Sequence, residues 1–159
     1  MRSLGGYLYL LALAVWVGGG ALYTFVLTPA IFGTYPRNTA GDVVGTMMPY
    51  YFAALLGATA LAAVLLAAFR RSLGVRLPAV CLALALAALG VQAYVQWGLY
   101  PKILAVKAEV ASFEAVPDAP ARRSFRALHG TSMLLNLVTI VDGAILLALV
   151  PLRRPERSA

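Results

Sequence analysis

The sequence predicts an all-α membrane protein: a bundle of four transmembrane helices with an interfacial amphipathic extension between spans three and four. Three observations predict it. Of the 159 residues, 62% are hydrophobic and only 12% charged, about half the ~25% charged share of an ordinary soluble domain. The apolar residues gather into four runs of about 20, the length that crosses a hydrocarbon core ~30 Å thick. The joins between them are short and hold most of the basic residues. Residues 1–159 therefore read as a single integral membrane domain, with spans at about 4–27, 50–69, 78–100 and 127–152 and no stretch left for a soluble catalytic domain. The net charge of +7 sits at the ends of apolar runs, where it meets lipid headgroups and sets orientation, so the lipid bilayer is the expected partner and nucleic acid is not. Cys81 is the single cysteine, which excludes an intrachain disulfide and fits a small apolar residue packed in the third span.

The first run follows Arg2. Gly18, Gly19, Gly20 and Ala21 resemble a signal-cleavage region, but the run stays apolar well past them, so an uncleaved first helix is expected. The glycines then offer a face for close helix approach, within the bundle or in a homo-oligomer. Tyr35, Pro36, Arg37 and Asn38 carry turn chemistry suited to a membrane surface. Pro49 fits the first turn of a span starting at Tyr50, or a kink in one bent element from Ala40 to Phe69. Arg70, Arg71 and Arg76 make a basic turn, and Pro78 opens an alanine-rich third span.

After Tyr100 and Pro101 the pattern changes. Ile103, Val106, Val110 and Phe113 share one face, with Lys102, Lys107, Glu109 and Glu114 elsewhere, which predicts an amphipathic helix extending the third span into the interface. Pro117 ends it. Asp118 can cap a fourth helix with Pro120 in its first turn, and Arg153, Arg154 and Arg157 form a charged stop. Four spans put both termini and the second-to-third turn on one face, which carries seven basic residues against six on the other. That margin favours cytoplasmic termini, in a bacterial inner membrane.

Polar side chains at membrane depth are the candidate functional residues, because hydrocarbon tolerates them only where they face a bundle interior or a cavity. His129, Ser132 and Asn136 fall at i, i+3 and i+7 and project from one helix face. Gln92 and Gln96 share a face at i, i+4, and Tyr50 and Tyr51 stand at the same end of the second span. Two amides, an imidazole and a hydroxyl thus converge on a polar cavity between helices three and four, with Arg126 and Lys102 near its mouth to attract an anionic ligand or to reach headgroups. A polar interhelical seam is the plainer alternative. Met47 and Met48, with Met133 one turn from His129, would suit a soft ion such as Cu(I), although methionine at helical spacing also serves as core filler. Asp142 lies on a different face of the fourth helix and suits either structural pairing or a role in proton transport. Nothing resembles a nucleophile with its base, a carboxylate pair or a phosphate loop, so catalysis is not the favoured class.

Tyr23 through Phe32, Tyr35-Pro36-Arg37-Asn38-Thr39 with Gly41, Met48-Pro49-Tyr50-Tyr51-Phe52, and Phe125 with Leu128-His129-Gly130-Thr131-Ser132 and Asn136-Leu137 resemble the transmembrane protein 205-like family. That family groups four-span membrane proteins around a domain of unknown function. The resemblance implies a four-helix membrane fold and no settled reaction. More distantly, the architecture is similar to copper-resistance D-type and protoporphyrinogen-oxidase-like membrane domains, which implies haem or copper. With His129 as the single histidine, bis-histidine haem ligation within one subunit is out of reach. The expected function is small-ligand binding or transport within the membrane, for a hydrophobic or anionic ligand. A haem- or copper-binding protein and a non-catalytic assembly module are the alternatives.

Overall fold

A computed structural model describes residues 4–110, 112–113 and 120–150, the side chains of residues 70–72 excepted. It contains four long helices: α1 (Leu4–Thr34), α2 (Arg37–Leu73), α3 (Pro78–Ala108) and α4 (Pro120–Ala148). Each is long and apolar enough to cross a membrane, the makeup of an integral membrane protein associated with a lipid bilayer. Among the described residues there is no strand. α2 packs between α1 and α3, and α4 closes the bundle against α3 and α1. The face containing the Gly74 turn is called proximal below, and the face containing the Pro36 turn distal.

The helices outrun the apolar segments because their prolines bend them without ending them. Pro29 and Pro101 cannot donate to the carbonyl four residues back and press against it. In both cases the helix widens just beforehand into a π-helical stretch, Tyr23–Leu27 and Tyr94–Leu99. The Thr28 amide bonds the Tyr23 carbonyl and the Tyr100 amide the Val95 carbonyl, each five residues back. The amphipathic stretch after Pro101 is thus the continuation of α3. Pro49 lies well inside α2 rather than in a first turn, which makes the second helix one element from Arg37 onward. The Gly45 carbonyl, which an ordinary residue 49 would bond, receives the Tyr100 hydroxyl of α3 at 3.4 Å. A neighbouring helix thereby restores what the proline removed.

The core runs along facing stripes. On α3 the buried positions are Cys81, Ala85, Ala88, Gln92, Val95, Leu99 and Ile103, each three or four residues from the next as along a helix seam. Cys81, Ala85 and Ala88 share one cluster with Tyr9, Leu13 and Trp16 of α1 and Leu55, Ala62 and Leu66 of α2. Close helix approach depends on two glycines. A Cβ at Gly20 would lie 3.0 Å from Ile140 of α4, and one at Gly143 would lie 2.8 Å from Val17 and 3.1 Å from the Trp16 ring. Gly18 and Gly19 have open space instead.

α2 departs from helical geometry at Phe69 (φ −124°) and is closed by Gly74 at φ 62°, a left-handed stop that glycine adopts without steric cost. Leu77 is also left-handed, at φ 51°. The turn is held by the Arg76 amide on the Leu149 carbonyl at 3.1 Å. The buried Cys81 thiol donates to the Arg76 carbonyl at 3.2 Å, which gives the cysteine a structural place. The expectations for Arg2, Glu114, Pro117, Asp118, Arg153, Arg154 and Arg157 concern residues outside those described.

Candidate functional site

The clearest polar centre joins three helices. Asn136 of α4 donates through Nδ2 to Thr24 Oγ1 of α1 at 2.9 Å and accepts through Oδ1 from the Tyr51 hydroxyl of α2 at 2.6 Å. Its carboxamide therefore has one donor and one acceptor engaged on different helices. Tyr51 stacks on Tyr23 with ring centroids 4.2 Å apart, and the Tyr23 hydroxyl donates to the Val44 carbonyl at 3.1 Å. Both rings are buried. Phe52 extends the aromatic set to Tyr100, 5.2 Å away edge to face.

The distal end is tied together by side chains that apolar patterning does not single out. Lys107 of α3 donates to the Gly41 carbonyl at 3.1 Å and to Asp42 at 2.9 Å. Asn38, at the start of α2, donates to Ser112 at 3.1 Å and accepts the Phe113 amide at 2.9 Å. Phe113 packs edge to face on Phe125, 4.9 Å away, and Arg122 donates to its carbonyl. His129 stacks on Phe125 at 5.3 Å with nearly parallel rings and is half-buried. Arg126 is exposed.

Gln92 differs from all of these. It is 8% exposed, and neither its amide nitrogen nor its oxygen has a partner among the described residues. The Gln96 oxygen, one turn away, is buried without a partner as well. Four other buried polar atoms share this condition: Tyr9 Oη, Trp16 Nε1, Thr59 Oγ1 and Asp142 Oδ1. Such groups are few in a native interior, and each calls for an explanation, a bridging water or an ion among them.

The structure thus joins Asn136 to Tyr51, buries Ser132 near the α4 seam, and leaves Gln92 and Gln96 unengaged inside the bundle. Tyr50 is 79% exposed and points outward. With Met47, Tyr23 and Tyr51 it borders a groove of about 320 Å³ between α1 and α2, otherwise lined by aliphatic side chains and Gly19. Met133 is 56% exposed on α4, Met47 borders the groove, and Met48 packs against the core. Among the described residues no three of His, Cys, Asp and Glu come together as metal ligands.

Sequence reasoning passed over Thr59 and Trp16, read Asn38 only as a turn residue, and did not connect Thr24 to Asn136. A threonine or tryptophan inside an apolar run carries no periodic signal of its own. Asn38 did have one, its place in the Tyr-Pro-Arg-Asn turn.

A family model described as Domain of unknown function (DUF4149) matches residues 11–112. The match takes in most of α1, all of α2 and α3, and Asn38, Pro49, Tyr51, Gln92 and Lys107; His129, Asn136 and Asp142 lie beyond it. No curated protein and no solved structure matches the chain.

Proposed function

The chain belongs to the DUF4149 family, and from that premise we propose that it binds or transports a small ligand within the membrane, at polar side chains between α3 and α4. The observation that carries this reading is the Gln92 carboxamide, buried with both hydrogen-bonding atoms unengaged. An amide at this depth without a partner costs free energy unless a guest or water meets it. Gln96, Ser132, Asn136 and His129 supply further polar groups towards the distal side, and Arg126 provides a cation at that end. Tyr51 connects this centre to the apolar groove, since its ring lines the groove while its hydroxyl reaches Asn136. That arrangement favours an amphiphilic ligand with an apolar body and a polar head. The Tyr-Pro-Arg-Asn and His-Gly-x-Ser elements support the narrower kinship with transmembrane protein 205-like proteins. The distribution of basic residues supports a bacterial inner membrane with both termini cytoplasmic.

Native mass spectrometry of protein extracted with its surrounding lipid tests the reading. The wild type retains a small molecule that Gln92→Leu and Asn136→Leu lose while staying folded. Equal retention by all three proteins removes the site. His129→Gln retains more than His129→Ala if the ring acts through hydrogen bonds, because an amide keeps a donor and an acceptor.

A further inference from the structure

We infer that the middle of the bundle holds a small monovalent cation, a proton or an alkali ion, with bridging water, in a layer made by Trp16, Thr59, Gln92 and Asp142. The inference rests on the ligand-site reading of Gln92 and goes beyond it, adding a bound cation to the amphiphilic ligand proposed above.

The four residues come from four different helices, and contacts between the helices fix their level. Gly20 of α1 meets Ile140 of α4 and Leu55 of α2, so those three positions share a depth. One turn towards the proximal face brings Trp16 on α1, Asp142 and Gly143 on α4, and Thr59 on α2. The Gly143 position confirms the step, since a Cβ there would lie 3.1 Å from Trp16 Cε2, the ring carbon bonded to Nε1. On the fourth side, Phe52 of α2 meets Tyr100 of α3. Two turns proximal of each lie Thr59 and Gln92. All four helices therefore present a polar group at one depth, and Trp16 Nε1, Thr59 Oγ1, both Gln92 amide atoms and Asp142 Oδ1 lack a hydrogen-bond partner. Trp16 and Thr59 are 0% exposed and Gln92 8%, while Asp142 is half-buried with its Oδ1 enclosed.

The donor set chooses the guest. Thr59, Gln92 and Asp142 offer three oxygens of the hard type that alkali ions, protons and water accept, with no sulfur or imidazole at this depth. Asp142 is the single charged side chain within residues 127–150, and residues 4–34, 43–69 and 77–101 contain none. The ion pair among the described residues, Lys107 with Asp42, is at the distal end. A carboxylate in this setting has no protein cation to balance it, and one positive charge balances it completely. A divalent ion would leave an excess charge in the bundle. The indole and amide N–H groups cannot ligate a cation, but they donate to the waters that complete its shell. Of the other titratable groups, Tyr94 is two residues from Gln92 but 54% exposed. Tyr9 and Cys81 are towards the proximal face, while Tyr23, Tyr51, Tyr100 and His129 are towards the distal face.

The test uses the full chain in lipid nanodiscs. Infrared difference spectroscopy looks for a carboxylic-acid C=O band that Asp142→Asn removes, which identifies the guest as a proton. Thermal melting in sodium or potassium chloride against choline chloride looks for a cation-dependent rise in Tm that Asp142→Asn abolishes, which identifies it as an alkali ion. Both measurements are made first on the wild type, so a variant that fails to fold does not remove the test. An ionised Asp142 in the wild type together with identical melting in all three salts overturns the inference. If that result accompanies a neutral guest whose retention depends on Gln92, the binding reading stands and the cation falls; if Gln92→Leu also changes nothing, both fall.

Discussion

Replacing Gly143 by alanine measures how closely α4 must approach α1. The added methyl would sit 2.8 Å from Val17 Cγ2 and 3.1 and 3.2 Å from two carbons of the Trp16 ring, whereas carbon atoms rest at about 3.5–4.0 Å. Val17 is half-buried and its methyl can rotate away, but Trp16 is 0% exposed and enclosed. The indole cannot yield, so α4 must move outward and loosen the seam. Overpacking of this kind costs ~1–3 kcal/mol. Gly130→Ala on the same helix is the matched control, because nothing lies within 4 Å of its Cβ position and alanine favours the helix by ~0.5–1 kcal/mol. Gly143→Ala gains the same helix preference, so the two variants should differ by the overpacking alone, roughly 1–3 kcal/mol. Unfolding of the purified protein by sodium dodecyl sulfate, followed by circular dichroism, reads that difference. Adding Val17→Ala to Gly143→Ala should restore the share owed to the shortest contact and leave the share owed to Trp16. Coincident unfolding curves for Gly143→Ala and Gly130→Ala would refute the reasoning.

Three further outcomes are expected. Tyr51→Phe and Asn136→Ala each destabilise the bundle, and their double-mutant cycle gives a coupling of about 0.6–1.7 kcal/mol; additive effects would mean that the 2.6 Å bond contributes nothing. Tyr100→Phe costs ~1 kcal/mol by stranding the Gly45 carbonyl, but costs little beside Pro49→Ala, where the residue 49 amide can serve that carbonyl; chemical unfolding of the four proteins tests this. Leu77→Gly raises the unfolding midpoint, corresponding to ~1 kcal/mol, by relieving a left-handed leucine, and a fall would show that its exposed side chain holds the turn.

The four helices were legible because hydrocarbon imposes one rule on every residue in it, and composition reports that rule directly. Their ends were less so. Pro49 read as either a first turn or a kink, and Pro101 as a change of pattern within a continuing helix; a π-helical stretch at Pro29 and Pro101 and a hydroxyl from the next helix at Pro49 answer the lost bond, and neither device has a local signature. The stripe of His129, Ser132 and Asn136 was legible as a shared helix face. Its partners were not, because Thr24 and Tyr51 meet Asn136 through interhelical register, which periodicity within one helix cannot fix. Gln92 stood out by residue type alone, while Trp16 and Thr59 became informative only once their depth was known.

Both wide turns ahead of Pro29 and Pro101 bear on how the chain tolerates changes in length. A π-helical stretch holds one residue more than the α-helix it interrupts, so faces beyond it are rotated by about 100° relative to an unbroken pitch. Removing one residue from Tyr94–Leu99 would let α3 close into regular turns without losing a backbone bond. It would also swing Lys107 off the Gly41 carbonyl and Tyr100 off the Gly45 carbonyl, setting both distal anchors adrift at once. The extra residue works as a phase shifter, and a deletion that leaves every turn chemically satisfied should still unfasten α3 from α2.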